Sequence, residues 1–293
     1  ATIDIAATGS SATIELKRLA ARHTFTVKTA NGFKLMAYQL CHVPLSTYYC
    51  SKNITTNNVL GTKIIADLSN VFQVKTFVFI STDKAVNPSS VMGASKRIAE
   101  QYIQSVNQES ATGFIVTRFG NVFGSSGSVG PIFSRQIKAG GPLTITHPEM
   151  ERYFMTTTQA CELVLESGAM GKGGEIFMFD MGNPIRIVDL AHQMILAAGL
   201  VPELDIKIEW IGLRPGEKLQ EDLITVNDIL IATNHPQIKW AQSSVNQKMP
   251  SIKLEIDHFL SDLSTLQEME IVKEMKKLVP EFKSNHSVHS ALD

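Results

Sequence analysis

An α/β fold built around a parallel sheet is what this 293-residue sequence predicts. Short apolar runs of strand length alternate along the chain with longer segments of helical period. Two of those runs, Lys75-Thr-Phe-Val-Phe-Ile80 and Phe114-Ile-Val-Thr-Arg-Phe119, are nearly continuous in apolar residues, as strands buried on both faces are. Polar, proton-handling groups follow directly on the first run, at the carboxyl end of a strand, where open α/β sheets bind their ligands.

The expected strands are 3–7, 33–37, 76–80, 114–118 and 175–179, with an alternating edge strand at 206–210. The expected helices are 59–72, 91–107, 158–167 and 187–198. The second carries Ile98, Tyr102 and Ile103 on one face, and the last carries Ile187, Leu190, Ala191 and Met194 at helical spacing, so these residues read as core. Asn31-Gly32 marks a turn. Residues 260–278 read as one amphipathic, lysine-rich helix whose charged face is solvated. The chain has no internal repeat and no low-complexity segment.

Composition narrows the function classes. Lysine and arginine number 27 against 28 acidic residues, a formal charge of −1, which leaves no electrostatic case for nucleic acid or an anionic membrane surface. Apolar residues make up 44%, ordinary for a globular protein, and the length suffices for one two-lobed enzyme. Cys41, Cys50 and Cys161 give neither a disulfide framework nor a zinc spacing, so no metal is expected and a reducing, cytoplasmic setting is. No apolar stretch reaches the length of a membrane span.

The most informative segment is Ser81-Thr-Asp-Lys-Ala-Val-Asn-Pro-Ser-Ser-Val-Met-Gly-Ala-Ser-Lys96. Met92 and Lys96 lie one helical turn apart and face the same way. Taken alone, the segment also suits a strand end capped by polar residues, with Asp83 and Lys84 paired in solvent. It resembles the extended branch of the short-chain dehydrogenase/reductase superfamily, in which Ser/Thr after the strand precedes Tyr-x-x-x-Lys on the helix. Here Met92 takes the tyrosine place. A thioether cannot exchange a proton, so acid/base work falls to Thr82, Asp83 and Lys84. Within that branch, Thr-Asp-Lys followed by Met-x-x-x-Lys looks like the UDP-N-acetylglucosamine 4,6-dehydratases of polysaccharide and glycan biosynthesis.

Further matches follow in family order: Arg118-Phe-Gly-Asn121-Val-Phe-Gly-Ser-Ser-Gly-Ser128, His147-Pro-Glu-Met-Glu-Arg152-Tyr-Phe-Met-Thr156 and Leu213-Arg-Pro-Gly-Glu-Lys-Leu219. The glycines let backbone amides approach anionic oxygens, and the guanidinium forks of Arg152 and Arg214 match a diphosphate, surface salt bridging being the bland alternative for either. The resemblance implies a doubly wound Rossmann-type parallel sheet with a smaller mixed α/β substrate lobe. Residues 1–121 and 156–182 would form the dinucleotide lobe, and 122–155 and 183–293 the nucleotide-sugar lobe. It implies NAD or NADP held by Gly9, His42, Asn58, Ser81 and Lys96, a catalytic set of Thr82, Asp83, Lys84, Met92 and Lys96, and a UDP-sugar held by Asn121, Arg152, Arg214 and Glu217. It also implies a homo-oligomer.

The amino-terminal part departs from this pattern. Where the family has Thr-Gly-x-x-Gly-x-x-Gly at a helix start, Thr8-Gly-Ser-Ser-Ala-Thr-Ile-Glu15 keeps Gly9 alone, and Glu15 brings negative charge toward a pyrophosphate. Between Glu15 and the family-like Ala37-Tyr-Gln-Leu-Cys-His42-Val-Pro-Leu45 there is room for one helix and one short strand, so the front of the fold is shortened. Two other functions stay open on sequence: a UDP-sugar 4-epimerase, which a tyrosine at position 92 would have favoured, and a catalytically degenerate nucleotide-sugar-binding protein.

Overall fold

The computed structural model describes residues 11–17, 22–28, 51–125, 127–243 and 249–293. The strands expected at 3–7 and 33–37, and Gly9 and His42, lie outside the described residues. The turn expected over 8–15 is corrected in its described part. Strand β1 (Ser11–Lys17) pairs antiparallel with β2 (Arg22–Lys28), Ser11 opposite Lys28 and Lys17 opposite Arg22. The sequence alternation Ala12, Ile14, Leu16 against Thr13, Glu15, Lys17 has the period of a strand, and only Gly9 remained to argue for a glycine turn.

From residue 51 the expected alternation appears. Helix α1 (Ser51–Thr55) runs through a π-helical turn at Thr56–Leu60 into α2 (Gly61–Val71). Strand β3 (Thr76–Ile80) is followed by a 3-10 turn (Asp83–Ala85) and α3 (Val91–Asn107). Strand β4 (Gly113–Arg118), the short β5 (Asn121–Val122), α4 (Val129–Lys138), β6 (Leu143–Ile145), β7 (Glu151–Arg152) and β8 (Phe154–Met155) come next. Helix α5 (Thr157–Met170), β9 (Ile176–Phe179), β10 (Ile185–Arg186) and α6 (Ile187–Ala197) complete the part with regular alternation.

The main sheet has the order β12-β13-β9-β4-β3, where β12 is Asp228–Ala232 and β13 is Ile238–Ser243. Strands β3, β4 and β9 are parallel, with Phe77 opposite Phe114 and Val116 opposite Ile176. Both faces are covered, which is why the middles of these strands are apolar. Phe77, Phe79, Phe114 and Val116 point to α3, where Ala94, Ile98, Ala99, Tyr102 and Ile103 meet them. Ile115, Phe177 and Phe179 point the other way, to Ala160 and Leu163 of α5. Each such buried phenylalanine contributes roughly 1.5–3 kcal/mol. A third cluster, with Phe133, Leu143, Ile145, Met150, Ile187 and Ile195, closes a smaller lobe around α4, α6, β6 and β11 (Ile208–Trp210).

Two readings of the carboxyl-terminal part change. The sequence division placed 183–293 in the sugar lobe, but β12 and β13 extend the main sheet, and α7 (Met249–Asp262) and α8 (Glu268–Leu278) lie on the α3 face of the core. The single helix expected at 260–278 is two helices. The break falls where the amides of Thr265 and Leu266 return to the Asp262 carbonyl, and Gln267 with Glu270 forms a capping box that starts α8. The strand expected at 206–210 pairs over Ile208–Trp210, parallel to β6.

Candidate functional site

The Ser81–Lys96 segment crosses the carboxyl edge of the parallel sheet. Beyond the strands proper, the Ser81 amide donates to Thr117 O and the Asp83 amide to Phe119 O, so β3 and β4 carry their pairing into the loop. Thr82 stays extended, and its hydroxyl both caps the 3-10 turn and donates to Asp83 Oδ1 at 2.8 Å. Ser90 caps α3 through the Gly93 amide. Gly93 is fixed by contact: a Cβ there would stand 2.2 Å from the Lys84 carbonyl oxygen, so the first turn of α3 rests directly on the turn that carries Lys84.

Asp83 is fully buried beside Lys84, whose side chain is 24% exposed. The Lys84 amine donates to Asp83 Oδ1 at 2.9 Å and to Asn121 Oδ1 at 3.2 Å. Asp83 Oδ2 is buried with no hydrogen-bond partner among the described residues. An acid and an amine therefore share one oxygen, while the other carboxyl oxygen keeps unused capacity. Such an arrangement can move a proton between its two members and onto a third group.

Lys84 and Asn121 line one end of a cavity of about 390 Å³, together with Ser89, Arg152, Arg214 and Glu221; Phe133, Ile145, Met150 and Ile187 line its apolar part. One loop, 214–222, forms much of the wall and is stitched to the motif. Ser89 Oγ donates to Gly216 O, Lys218 Nζ to Val86 O, and Gly216, at φ +72°, comes so close that a Cβ would lie 2.6 Å from Ser89 O.

The arginines differ in a way their sequence context did not disclose. Arg152 is buried, and its guanidinium donates to the carbonyls of Glu151, Lys218 and Leu219. It thereby fastens the loop, and its remaining contacts are Glu217 and Glu221 at 3.7 Å. The exposed Arg214 lines the cavity with no side-chain ion pair among the described residues. Of the two, Arg214 offers the uncommitted donors for a diphosphate. Glu217 accepts from the Arg214 amide and holds the turn.

The remaining expected residues divide. Lys96 is buried at the end of β3, its amine on Ile80 O at 3.0 Å and over the Phe79 ring. Met92 is half-buried in the first turn of α3. Asn58 sits in the π-helical turn and donates to Ser95 Oγ, joining that turn to α3. Ser81 is turned inward: its hydroxyl donates to Glu100 Oε1 at 2.6 Å, within a buried cluster with Arg118 and Arg97. Sequence reasoning missed Glu221 and Glu100. Glu100 stands among helix positions that look solvent-facing by charge alone, and only the buried Arg118 opposite marks it as internal. No three His, Cys, Asp or Glu side chains among the described residues come together as a metal site, and no described helix is long and apolar enough to cross a membrane.

A family model described as polysaccharide biosynthesis protein matches residues 19–243, most of this chain. The chain belongs to that family. CapD, a capsular polysaccharide biosynthesis protein of Staphylococcus aureus, is 52% identical over 223 residues, covering 76% of this chain and 36% of CapD. The UDP-N-acetylglucosamine 4,6-dehydratase (inverting) of Campylobacter jejuni is 36% identical over 200 residues, covering 67% of this chain and 57% of that enzyme. The chain thus spans from about a third to somewhat over half of the length of these relatives. Among solved structures, Pen from Bacillus thuringiensis is 34% identical with a TM-score of 0.62, covering 72% of this chain and 65% of Pen. DesIV, a dTDP-glucose 4,6-dehydratase of Streptomyces venezuelae, has a TM-score of 0.58 at 19% identity, covers 64% of this chain and 63% of its own, and shares the Rossmann-type fold alone.

Proposed function

We propose that this chain carries the reaction centre of a nucleotide-sugar dehydratase that converts UDP-N-acetylglucosamine to its 4-keto-6-deoxy derivative. The observation that carries this reading is the Asp83–Lys84 pair, acid against amine at 2.9 Å, at the carboxyl end of β3 and beside a cavity reached by Asn121 and Arg214. NAD or NADP fits the described part of the site at its ribose end, where the buried Lys96 amine meets the edge of β3. The pyrophosphate turn expected at 8–15 does not fit, because Ser11–Lys17 is a strand with a hairpin partner and leaves no helix start there. When bound, the cofactor would supply hydride exchange with carbons 4 and 6 of the sugar, the proton of the 4-hydroxyl leaving to solvent in the cavity.

The chain's own residues supply the proton chemistry. Lys84, in its neutral form, removes the proton at carbon 5, which the neighbouring ketone has made acidic. Asp83 carries the proton that leaves with the 6-hydroxyl, and the Thr82 hydroxyl, donating to Oδ1, orients the carboxyl. Asn121 holds the Lys84 amine in place, and Arg214 binds the diphosphate. Met92, in the first turn of α3, exchanges no proton.

The test is turnover by the full chain with NAD and UDP-N-acetylglucosamine in deuterated water, read by mass spectrometry and NMR. Loss of one water with deuterium at carbon 5 supports the dehydratase. A carbon 4 epimer of unchanged mass replaces it with the 4-epimerase reading, for which a UDP-glucose 4-epimerase of Rickettsia canadensis, 38% identical over 200 residues, is a precedent among relatives. Tight UDP-sugar binding with neither product leaves a binding protein.

A further inference from the structure

The 214–222 loop brings to Lys84 a second carboxylate, which the proposed chemistry does not use. The Glu221 side chain is only 6% exposed, and its Oε1 stands 3.9 Å from Lys84 Nζ and 3.7 Å from Arg152 Nε. The loop is fixed there from three sides. Arg152 holds the carbonyls of Lys218 and Leu219, Lys218 reaches Val86 O, and Ser89 reaches Gly216 O. A carboxylate so placed is costly to bury unless a cation answers it. Burial pushes the Glu221 carboxyl above its ordinary range and the charge on Asp83 adds to that push, while Lys84, Arg152 and Lys218 oppose it.

We propose that Glu221 is a positioning residue for Lys84: pinned by Arg152, its carboxylate holds the lysine amine at the cavity wall beside Asn121 and governs how firmly that amine keeps its proton. What the amine then does rests on the dehydratase reading; the coupling between the two residues does not. The charged groups facing Lys84 are Asp83 on its own turn, Arg152 from β7, and Glu221 with Glu217, Lys218 and Arg214 on the loop. Asp222 pairs with Lys218 and lies on the exposed side. Asp83 and Glu221 thus flank the amine, and Arg152 sits behind Glu221. An ammonium beside two carboxylates holds its proton to higher pH than one beside a single carboxylate.

The coupling is measured on the full chain carrying carbon-13 at the lysine ε-carbons, with the Lys84 signal assigned as the one lost in Lys84→Arg. In Glu221→Gln the Lys84 titration midpoint should fall by about one pH unit or more. Glu221→Asp, which keeps the charge but withdraws it, should give a smaller fall and keeps the test decisive if the glutamine variant does not fold. The rising limb of carbon 5 exchange should move to lower pH in step, with the KM for UDP-N-acetylglucosamine changed less than about threefold. An unmoved or raised Lys84 midpoint in these variants overturns the assignment. A midpoint that falls as expected in a chain whose natural form shows no exchange upholds the coupling and sinks the dehydratase instead.

Discussion

Arg118 grips Glu100 with both ends of its guanidinium, Nε on Oε1 at 2.8 Å and Nη2 on Oε2 at 2.5 Å, with neither side chain more than 2% exposed. This pair sits under the motif, because Ser81 and Arg97 bond the same carboxylate. Burial alone would raise the Glu100 carboxyl, but Arg118 above all, then Arg97 and Ser81, hold it below the usual range. Glu100→Gln should destabilise the fold by about 3–5 kcal/mol, since it leaves a buried guanidinium uncompensated. The folded carboxyl titrates below its ordinary 4.5, so its contribution is complete above that pH and disappears as pH falls through the lower folded value. Denaturant melts should therefore show the natural chain losing stability with acid more steeply than Glu100→Gln; parallel curves would count against the pair.

For the two reactive residues, the half-reactions separate the roles. Lys84→Ala should slow carbon 5 deuterium exchange by about 10²- to 10⁴-fold, the usual worth of one general base, while calorimetry finds UDP-sugar affinity nearly unchanged. Asp83→Asn should allow some exchange and block loss of the 6-hydroxyl. Wild-type exchange in Lys84→Ala would remove Lys84 from the mechanism.

Met92→Leu tests the position where the Tyr-x-x-x-Lys pattern would have a tyrosine. Neither side chain has an exchangeable proton, and the volumes are close, so turnover should stay within about tenfold, a barrier change under roughly 1.4 kcal/mol. A thousandfold loss would mean the sulfur has a role that shape does not replace.

The arginines should part company in paired measurements. Arg214→Ala should weaken UDP-sugar binding by roughly tenfold or more and leave the melting temperature in place, because its exposed guanidinium has no ion pair among the described residues. Arg152→Ala should lower the melting temperature, since three carbonyls and two carboxylates lose their partner. Equal affinity losses with equal stability would contradict the division.

Gly93→Ala should displace the Lys84 turn, because the added methyl would need the space of a backbone oxygen 2.2 Å away. Backbone yields poorly, so a cost of about 1–3 kcal/mol and a loss of exchange greater than in Met92→Leu are expected. Kinetics and melting curves of the two variants side by side decide it.

The parallel strands and α3 were legible because buried strands show as continuous apolar runs and amphipathic helices show their period. Helix α3 matched its expected limits, helped by Ser90 as a cap. The motif also announced the pairing of Asp83 with Lys84, since neighbours in sequence at a tight turn have little choice. What stayed hidden depends on long-range return of the chain. Nothing local distinguishes Arg152 as a loop clamp from Arg214 as an open donor, and Glu221 lies 137 residues beyond Lys84 in sequence (221 − 84). The β12–β13 hairpin alternates too weakly to reveal which sheet it joins, and the break between α7 and α8 rests on a capping box inside a polar stretch.

Helix α3 occupies the middle of the first core cluster, yet its outer covering leaves the ribosome long after it. Gln101 Nε2 bonds the carbonyl of Leu278, 177 residues later, and Ile256, Phe259, Ile271 and Met275 close the same cluster. At about 5–20 residues per second, roughly ten to thirty-five seconds of synthesis separate the helix from its lid. Through that interval the nascent chain carries a bare apolar flank. Slower translation at low temperature should therefore raise the folded yield of the chain.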